Sequence, residues 1–285
     1  MKKLKAKWHN AYDDLKNYSY NLLRDYKRWI SMNNRHNNPS LGICIPVWNR
    51  GDLFKICIDS LLSNIKGLDV TIWIFDNGSD AKTRKIVEDL RSERCRINKI
   101  FLPENMGIPY VANIFAKLIQ ENCDYAHYKT PDYIMIMDAD AYFKKPVKDL
   151  VDLCAEDYQI GLISGHDSIE HDALDEKILY FHGKKILLKE KELERMITMV
   201  MRSEEFLRCY PFPHYRNRDV DWEIALWNPN SMKMRNRRIF VACDYVLHLG
   251  IDTSTWDTSK QTLASEQEIK EVTQILKQHR IVAKH

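Results

Sequence analysis

The chain has 285 residues, of which 45% are apolar and 29% charged, with a net charge of +3. That length supports a substantial core, and the composition excludes a disordered or fibrous protein. So small a net charge does not demand a polyanionic partner. Apolar runs such as Tyr133–Met137 and Ile239–Cys243 have the length of strands, too short to span a bilayer.

The start Met-Lys-Lys has no apolar stretch after it and so does not read as a signal peptide. Seven scattered cysteines form no CxxC pair and no Cys/His cluster, which points to reduced thiols and a cytoplasmic protein without structural zinc.

Residues 1–38 read as a basic, amphipathic helical extension ending in a polar linker. Trp8, Tyr12, Leu15, Leu22, Tyr26 and Ile30 recur at helical spacing among lysines and arginines. Packing of that stripe on the main domain is the plain expectation. Peripheral docking on an anionic membrane, a nucleic acid or another subunit is the competing one.

From Leu41 the texture alternates between strand and helix. Strands are predicted at Leu41–Val47, Val70–Phe75, Ile97–Leu102 and Tyr133–Met137, with helices at Asp52–Asn64, Lys82–Arg91 and Pro109–Gln120 between them. This order predicts an α/β fold with a mostly parallel sheet flanked by helices. Beyond it, Asp149–Asp157 reads as a helix and Ile160–Ser164 as a strand. Lys189–Arg208 reads as a helix broken at Tyr210–Pro213, Asp219–Leu226 as the start of another helix, and Arg238–Leu247 as one strand. Ser265–His279 reads as a terminal helix, with Ser265 and Glu268 at capping-box spacing. The expected division is a catalytic domain over 39–257, with halves 39–165 and 166–257, followed by a C-terminal helical segment over 258–285.

The chemistry clusters where those strands end. A buried strand delivers Asp138-Ala139-Asp140 to the sheet edge. Two carboxylates so close repel unless a cation joins them, and a hard ion such as Mn²⁺ or Mg²⁺ takes carboxylates together with phosphate oxygens. Taken alone, the pair would pass as a turn. Asp76-Asn77-Gly78-Ser79 follows the second strand in the same way. Its Asp can accept from a base N–H or a ribose hydroxyl, and Ser79 can cap the next helix. Asn105-Met106-Gly107 after the third strand is a weaker sign.

Together these residues resemble the family 2 glycosyltransferases, which have the GT-A fold. Pro46-Val47-Trp48-Asn49-Arg50 is similar to their opening strand-end motif and Asp76-Asn77-Gly78-Ser79 to their Asp-Asn-Gly-Ser turn. Asn105-x-Gly107 with Asn113 resembles their Asn-x-Gly…Asn segment, and Asp138-Ala139-Asp140 their Asp-x-Asp. Asp219-Val220-Asp221-Trp222 resembles their Glu-Asp-x-Asp segment at a helix start, with Arg218 in place of the Glu. His248-Leu249-Gly250 resembles their late His-x-Gly.

The resemblance implies an inverting, metal-dependent transfer from a UDP-, GDP- or dTDP-linked sugar. The implied donor contacts are Pro46, Val47, Asn49, Arg50, Asp76, Asn77, Ser79, Asn105, Gly107, Asn113, Asp138 and Ala139. Asp140 and His248 would hold the metal with Asp138 beside them, and Asp219 would be the base, with Asp221 and Glu223 as alternatives. Trp222, Lys233, Arg235, Arg237 and Arg238 are weaker candidates for the diphosphate or the acceptor. A glycan or lipid-linked precursor is the default acceptor, with modified bases of DNA as an alternative. Among other classes, a sugar-1-phosphate nucleotidyltransferase would need a Gly-rich N-terminal loop that this sequence lacks. A non-catalytic nucleotide-binding module would be revealed by binding without turnover.

Overall fold

In a computed structural model, the chain is described over residues 38–125, 130–167, 172–191, 197–212, 237–251 and 265–281. The amino-terminal extension and Asp219–Leu226 therefore lie outside the described residues. So do the candidates Asp219, Asp221, Trp222, Glu223, Lys233 and Arg235, and the expected boundary at residue 258.

The described part alternates as expected through its first half. Strand β1 (Ser40–Val47), helix α1 (Gly51–Asn64), β2 (Asp69–Asn77), α2 (Ala81–Asp89), β3 (Arg96–Leu102), α3 (Ile108–Tyr125) and β4 (Tyr133–Met137) follow one another. A short β5 (Ala141–Phe143), α4 (Val147–Glu156) and β6 (Ile160–Ser164) come next. The rest is β7 (Ala173–Phe181), β8 (Lys184–Lys191), β9 (Thr198–Arg202), α5 (Ser203–Cys209), β10 (Arg238–Ala242), β11 (Val246–His248), a 3₁₀ turn (Leu249–Ile251) and α6 (Glu266–Gln278).

Nine strands form one sheet in the order β3-β2-β1-β4-β9-β6-β10-β8-β7, and β5 and β11 form a separate pair. Within the large sheet β8 and β9 run against the others. The order reverses at β1, which has β2 on one side and β4 on the other. A crevice opens at such a switch point, beyond the carboxyl ends of the strands.

Both faces of the sheet's centre are buried, so alternate residues of one strand enter different cores. Ile43, Ile45 and Val47 of β1 pack with Phe54, Leu61 and Leu150 from α1 and α4, while Cys44 packs with Phe115 and Ala116 of α3 on the other face. A smaller cluster docks α6: its Val272 and Leu276 meet Leu53 and Ile56 of α1, Leu247 of β11 and Leu249 of the turn after it. No helix among the described residues is long and apolar enough to cross a membrane.

Two expectations for the second half are corrected, and one element is new. The helix expected over Lys189–Arg208 is instead the end of β8, the strand β9 and the short α5. Strand β9 is buried along its whole length, and its methionines read equally well as helix formers. Its Arg202 is fully buried and donates to Ile160 O (2.7 Å), to Asp157 O (3.1 Å) and to Cys154 O, carbonyls at and just beyond the end of α4.

The β7–β8 hairpin, unanticipated from the sequence, turns through His182 and Gly183, both at positive φ, as a two-residue hairpin loop requires. The single strand expected over Arg238–Leu247 is two strands in different sheets, parted by a turn with Asp244 at φ 66°.

Candidate active site

Loops from the ends of β1, β2, β3 and β4 line the crevice, and they are tied to one another by the motif residues themselves. Asn49 and Arg50 sit in left-handed backbone conformations between β1 and α1. Asn49 N–H donates to Ser79 Oγ (3.0 Å), Asp80 N–H donates to Asn49 Oδ1 (2.8 Å), and Ser79 Oγ donates to Val47 O (3.2 Å). One loop further, Asn77 Nδ2 donates to Asn105 Oδ1 (2.8 Å) and Met106 N–H to Asn77 Oδ1 (2.9 Å). Gly107 N–H also donates to Asn105 Oδ1 (3.0 Å). Gly78 has φ 71°, and a Cβ there would lie 2.4 Å from the Glu104 backbone, so only glycine lets these loops close together.

Asp76 is buried at the end of β2. Its Oδ1 accepts from Ser79 N–H (3.0 Å) and its Oδ2 from Arg84 Nε (2.8 Å). Arg84 also lies 5.3 Å from the centre of the half-exposed Phe101 ring. Nothing in the motif pattern singled out Arg84; its position on α2, one turn past the cap Asp80, is the available signal. Pro46 and Val47 close β1 opposite Phe75 and Asp76, and Trp48 stands exposed just beyond them.

Asn113 plays a different part. Its Nδ2 donates to Phe212 O (2.9 Å) and its Oδ1 accepts from Phe212 N–H (2.8 Å), so it anchors the last described residue before the segment that carries Asp219.

At the end of β4, Asp138, Asp140 and His248 each bring a ligand atom within 4.8 Å of the others. The pairing of β5 with β11 sets His248 opposite Ala141, and Leu249 N–H donates to Asp140 O (2.9 Å). Ala139 is tucked against the core and presents no polar group. Asp140 Oδ2 accepts from Arg50 Nη1 (3.0 Å), and His248 Nε2 lies 3.3 Å from Oδ1. Burial raises the pKa of the Asp140 carboxyl, but the charges and hydrogen bonds of His248 and Arg50 outweigh it and hold the group at about 2. Beneath the pair, burial and the neighbouring carboxylates push the Cys57 thiol well up, so it is a filler rather than a ligand.

Two carboxylates and an imidazole are suitable donors for Mn²⁺ or Mg²⁺. Gly250 keeps the space among them open: a Cβ there would lie 2.5 Å from Asp140 Oδ2 and 2.9 Å from His248 Nε2. The residues fit a divalent ion, whose charge would take over the neutralising part Arg50 now plays.

Of the basic run, Arg237 and Arg238 do not join this site. Arg237 is buried in an ion pair with Glu205 (3.2 Å), its guanidinium 3.4 Å from the centre of the Tyr158 ring, and it donates to Tyr158 O. Arg238 opens β10 beside Ile160, at the opposite end of the sheet from the crevice, and pairs with Glu190 (3.0 Å).

Sequence reasoning also missed Glu268. It accepts from His248 N–H (3.3 Å) and lies 2.9 Å from Nε2 of the buried His166.

The sequence model of the family described as Glycosyl transferase family 2 matches residues 42–240, over half of the chain. A search of curated proteins finds no match. Among solved structures, the mannosyltransferase PcManGT from Pyrobaculum calidifontis, in complex with GDP-Man and Mn²⁺, is 13% identical with a TM-score of 0.50, over 81% of this chain and 65% of that one. TarS 1-349 from S. aureus, in complex with UDP-GlcNAc, is 14% identical with a TM-score of 0.53, over 86% of this chain and 68% of that one. The chain thus spans about two thirds of the length of these structures, and at such identities they speak for the fold alone. With a mostly parallel sheet flanked by helices and the family's model matched across the crevice, the chain belongs to glycosyl transferase family 2.

Proposed function

We propose that the chain moves a sugar from a nucleoside-diphosphate sugar to an acceptor hydroxyl, with inversion at the anomeric carbon and with a divalent metal. The observation that carries this is the convergence of Asp138, Asp140 and His248 around the space left by Gly250, at the switch point of the sheet. The fold neighbours held with GDP-Man and Mn²⁺ and with UDP-GlcNAc support the same donor class.

In this reading the base and ribose lie over Pro46–Asn49 and near Asp76, with Asp138 toward the ribose. Asn49, Asn77, Ser79, Asn105 and Gly107 shape the crevice by binding one another. Asp140 and His248 would hold the metal, and Arg50, beside Asp140, would face the diphosphate. When bound, the ion would supply Lewis-acid stabilisation of the charge on the departing nucleotide. Asp219 accepts the acceptor's proton as its oxygen attacks the anomeric carbon, worth about 10²–10⁴ in rate. A glycan hydroxyl is the acceptor class we favour.

The test is a thermal-shift screen of nucleoside diphosphates and their sugars, with and without Mn²⁺. A ligand that binds only the folded state raises its melting temperature. A rise with at least one of them that depends on Mn²⁺ is expected; no such rise with any would refute the proposal.

A further inference from the structure

The C-terminal helix α6 lies outside the residues matched to the family, yet it reaches the metal ligand. Its N-cap Ser265 accepts from the backbone N–H of Glu268 (3.1 Å), as the sequence spacing predicts. In a capping box the Glu side chain would turn back to the cap. Here Oε1 of Glu268 faces two other groups: it accepts from His248 N–H (3.3 Å) and lies 2.9 Å from His166 Nε2. Facing an ionised carboxylate, which only accepts, His166 donates when Nε2 carries its proton.

His166 is buried just beyond β6, its Nδ1 has no partner among the described residues, and its ring packs edge-on to that of His248 with centroids 6.2 Å apart. Glu268 thus fixes the backbone of His248 and the ring beside it with one oxygen.

Docking of the helix does not require this carboxylate. Val272 and Leu276 bury the apolar face one and two turns later, and Glu271 pairs with Lys144 (2.6 Å). A carboxylate turned inward costs free energy unless donors meet it, and the donors it meets are the ligand residue and that residue's neighbour. We infer that Glu268 is a positioning residue that holds His248 in its metal-binding place, making α6 part of the site. The inference rests on the metal reading above. Outer groups that orient a ligand typically contribute about 10–100-fold in metal affinity.

The experiment compares the wild-type chain with Glu268→Ala, Glu268→Gln and Glu271→Ala. One arm measures amide hydrogen exchange of residues 246–249 in metal-free protein. The other measures Mn²⁺ uptake by electron paramagnetic resonance, alone and with UDP or GDP. Glu268→Ala should speed exchange of that segment and weaken Mn²⁺ binding about tenfold or more. Glu268→Gln keeps an acceptor oxygen in place and should stay close to wild type, as should Glu271→Ala, which loosens the helix elsewhere.

Unchanged exchange in Glu268→Ala would overturn the inference, as would an equal loss of Mn²⁺ in Glu271→Ala or in Glu268→Gln. A wild-type chain that takes up no Mn²⁺ under any of these conditions would overturn the metal reading. The exchange arm would still decide whether Glu268 holds His248.

Discussion

Gly250→Ala separates the fold from the site. Gly250 has no positive φ, so alanine suits its backbone. The new methyl would lie 2.5 Å from Asp140 Oδ2, 2.9 Å from His248 Nε2 and 3.2 Å from Arg50 Nη1. Ordinary contact needs about 3.5–4.0 Å, so the carboxylate and the imidazole must each retreat by roughly 0.6–1 Å or more. Metal sites tolerate only about 0.2 Å in ligand distance.

The fold suffers less, because the crowded atoms are side-chain ends that can swing. Overpacking costs about 1–3 kcal/mol, and replacing glycine returns about 0.4–1 kcal/mol through the unfolded chain. The net is a cost of about 0–2.6 kcal/mol, or a few degrees in melting temperature. Mn²⁺ affinity should fall by at least about tenfold. Calorimetric titration with Mn²⁺ beside a melting curve reads both. Wild-type affinity in a folded Gly250→Ala protein would refute the claim that Asp140 and His248 form the ion's site.

Other variants separate structural from functional roles. Gly78→Ala should do the reverse of Gly250→Ala, since its Cβ meets backbone and its φ is 71°; denaturant melts should show a loss of more than about 1 kcal/mol. Arg237→Ala breaks a buried ion pair and should destabilise by about 3–5 kcal/mol, whereas Arg238→Ala should stay within about 0.5 kcal/mol, and neither should change nucleotide affinity in a folded protein. Asp219→Asn should lower turnover about 10²–10⁴-fold while leaving nucleotide binding intact, as steady-state rates beside calorimetric titration would show.

The first half of the fold was legible because its strands are short apolar runs between amphipathic helices, and the polar residues at their ends stood out against them. What those residues touch was not legible. Asn49, Asn77, Ser79 and Asn105 read as ligand contacts, yet they hydrogen-bond one another across loops, which requires knowing which strands are neighbours. Asn113 likewise meets Phe212, ninety-nine residues along the chain.

In the second half, periodicity misled. Strand β9 is buried on both faces and so carries no alternation, and charges on the exposed hairpin β7–β8 hide its period of two. Arg237 and Arg238 read as candidates for the diphosphate or the acceptor because a sequence does not show that Glu205 and Tyr158 meet the first and Glu190 the second. Glu268 looked like half of a capping box. Its backbone does serve that cap, and only the docking of α6 reveals that its carboxylate serves His248.

The central claim is that Asp140 ties a metal to the donor's diphosphate, and calorimetric titration of a nucleoside-diphosphate sugar in Mn²⁺ tests it most directly. The account predicts that the wild-type chain binds in Mn²⁺ and weakly after chelation, and that Asp140→Ala binds weakly in both. Binding by Asp140→Ala in Mn²⁺ as tight as that of the wild type would contradict it.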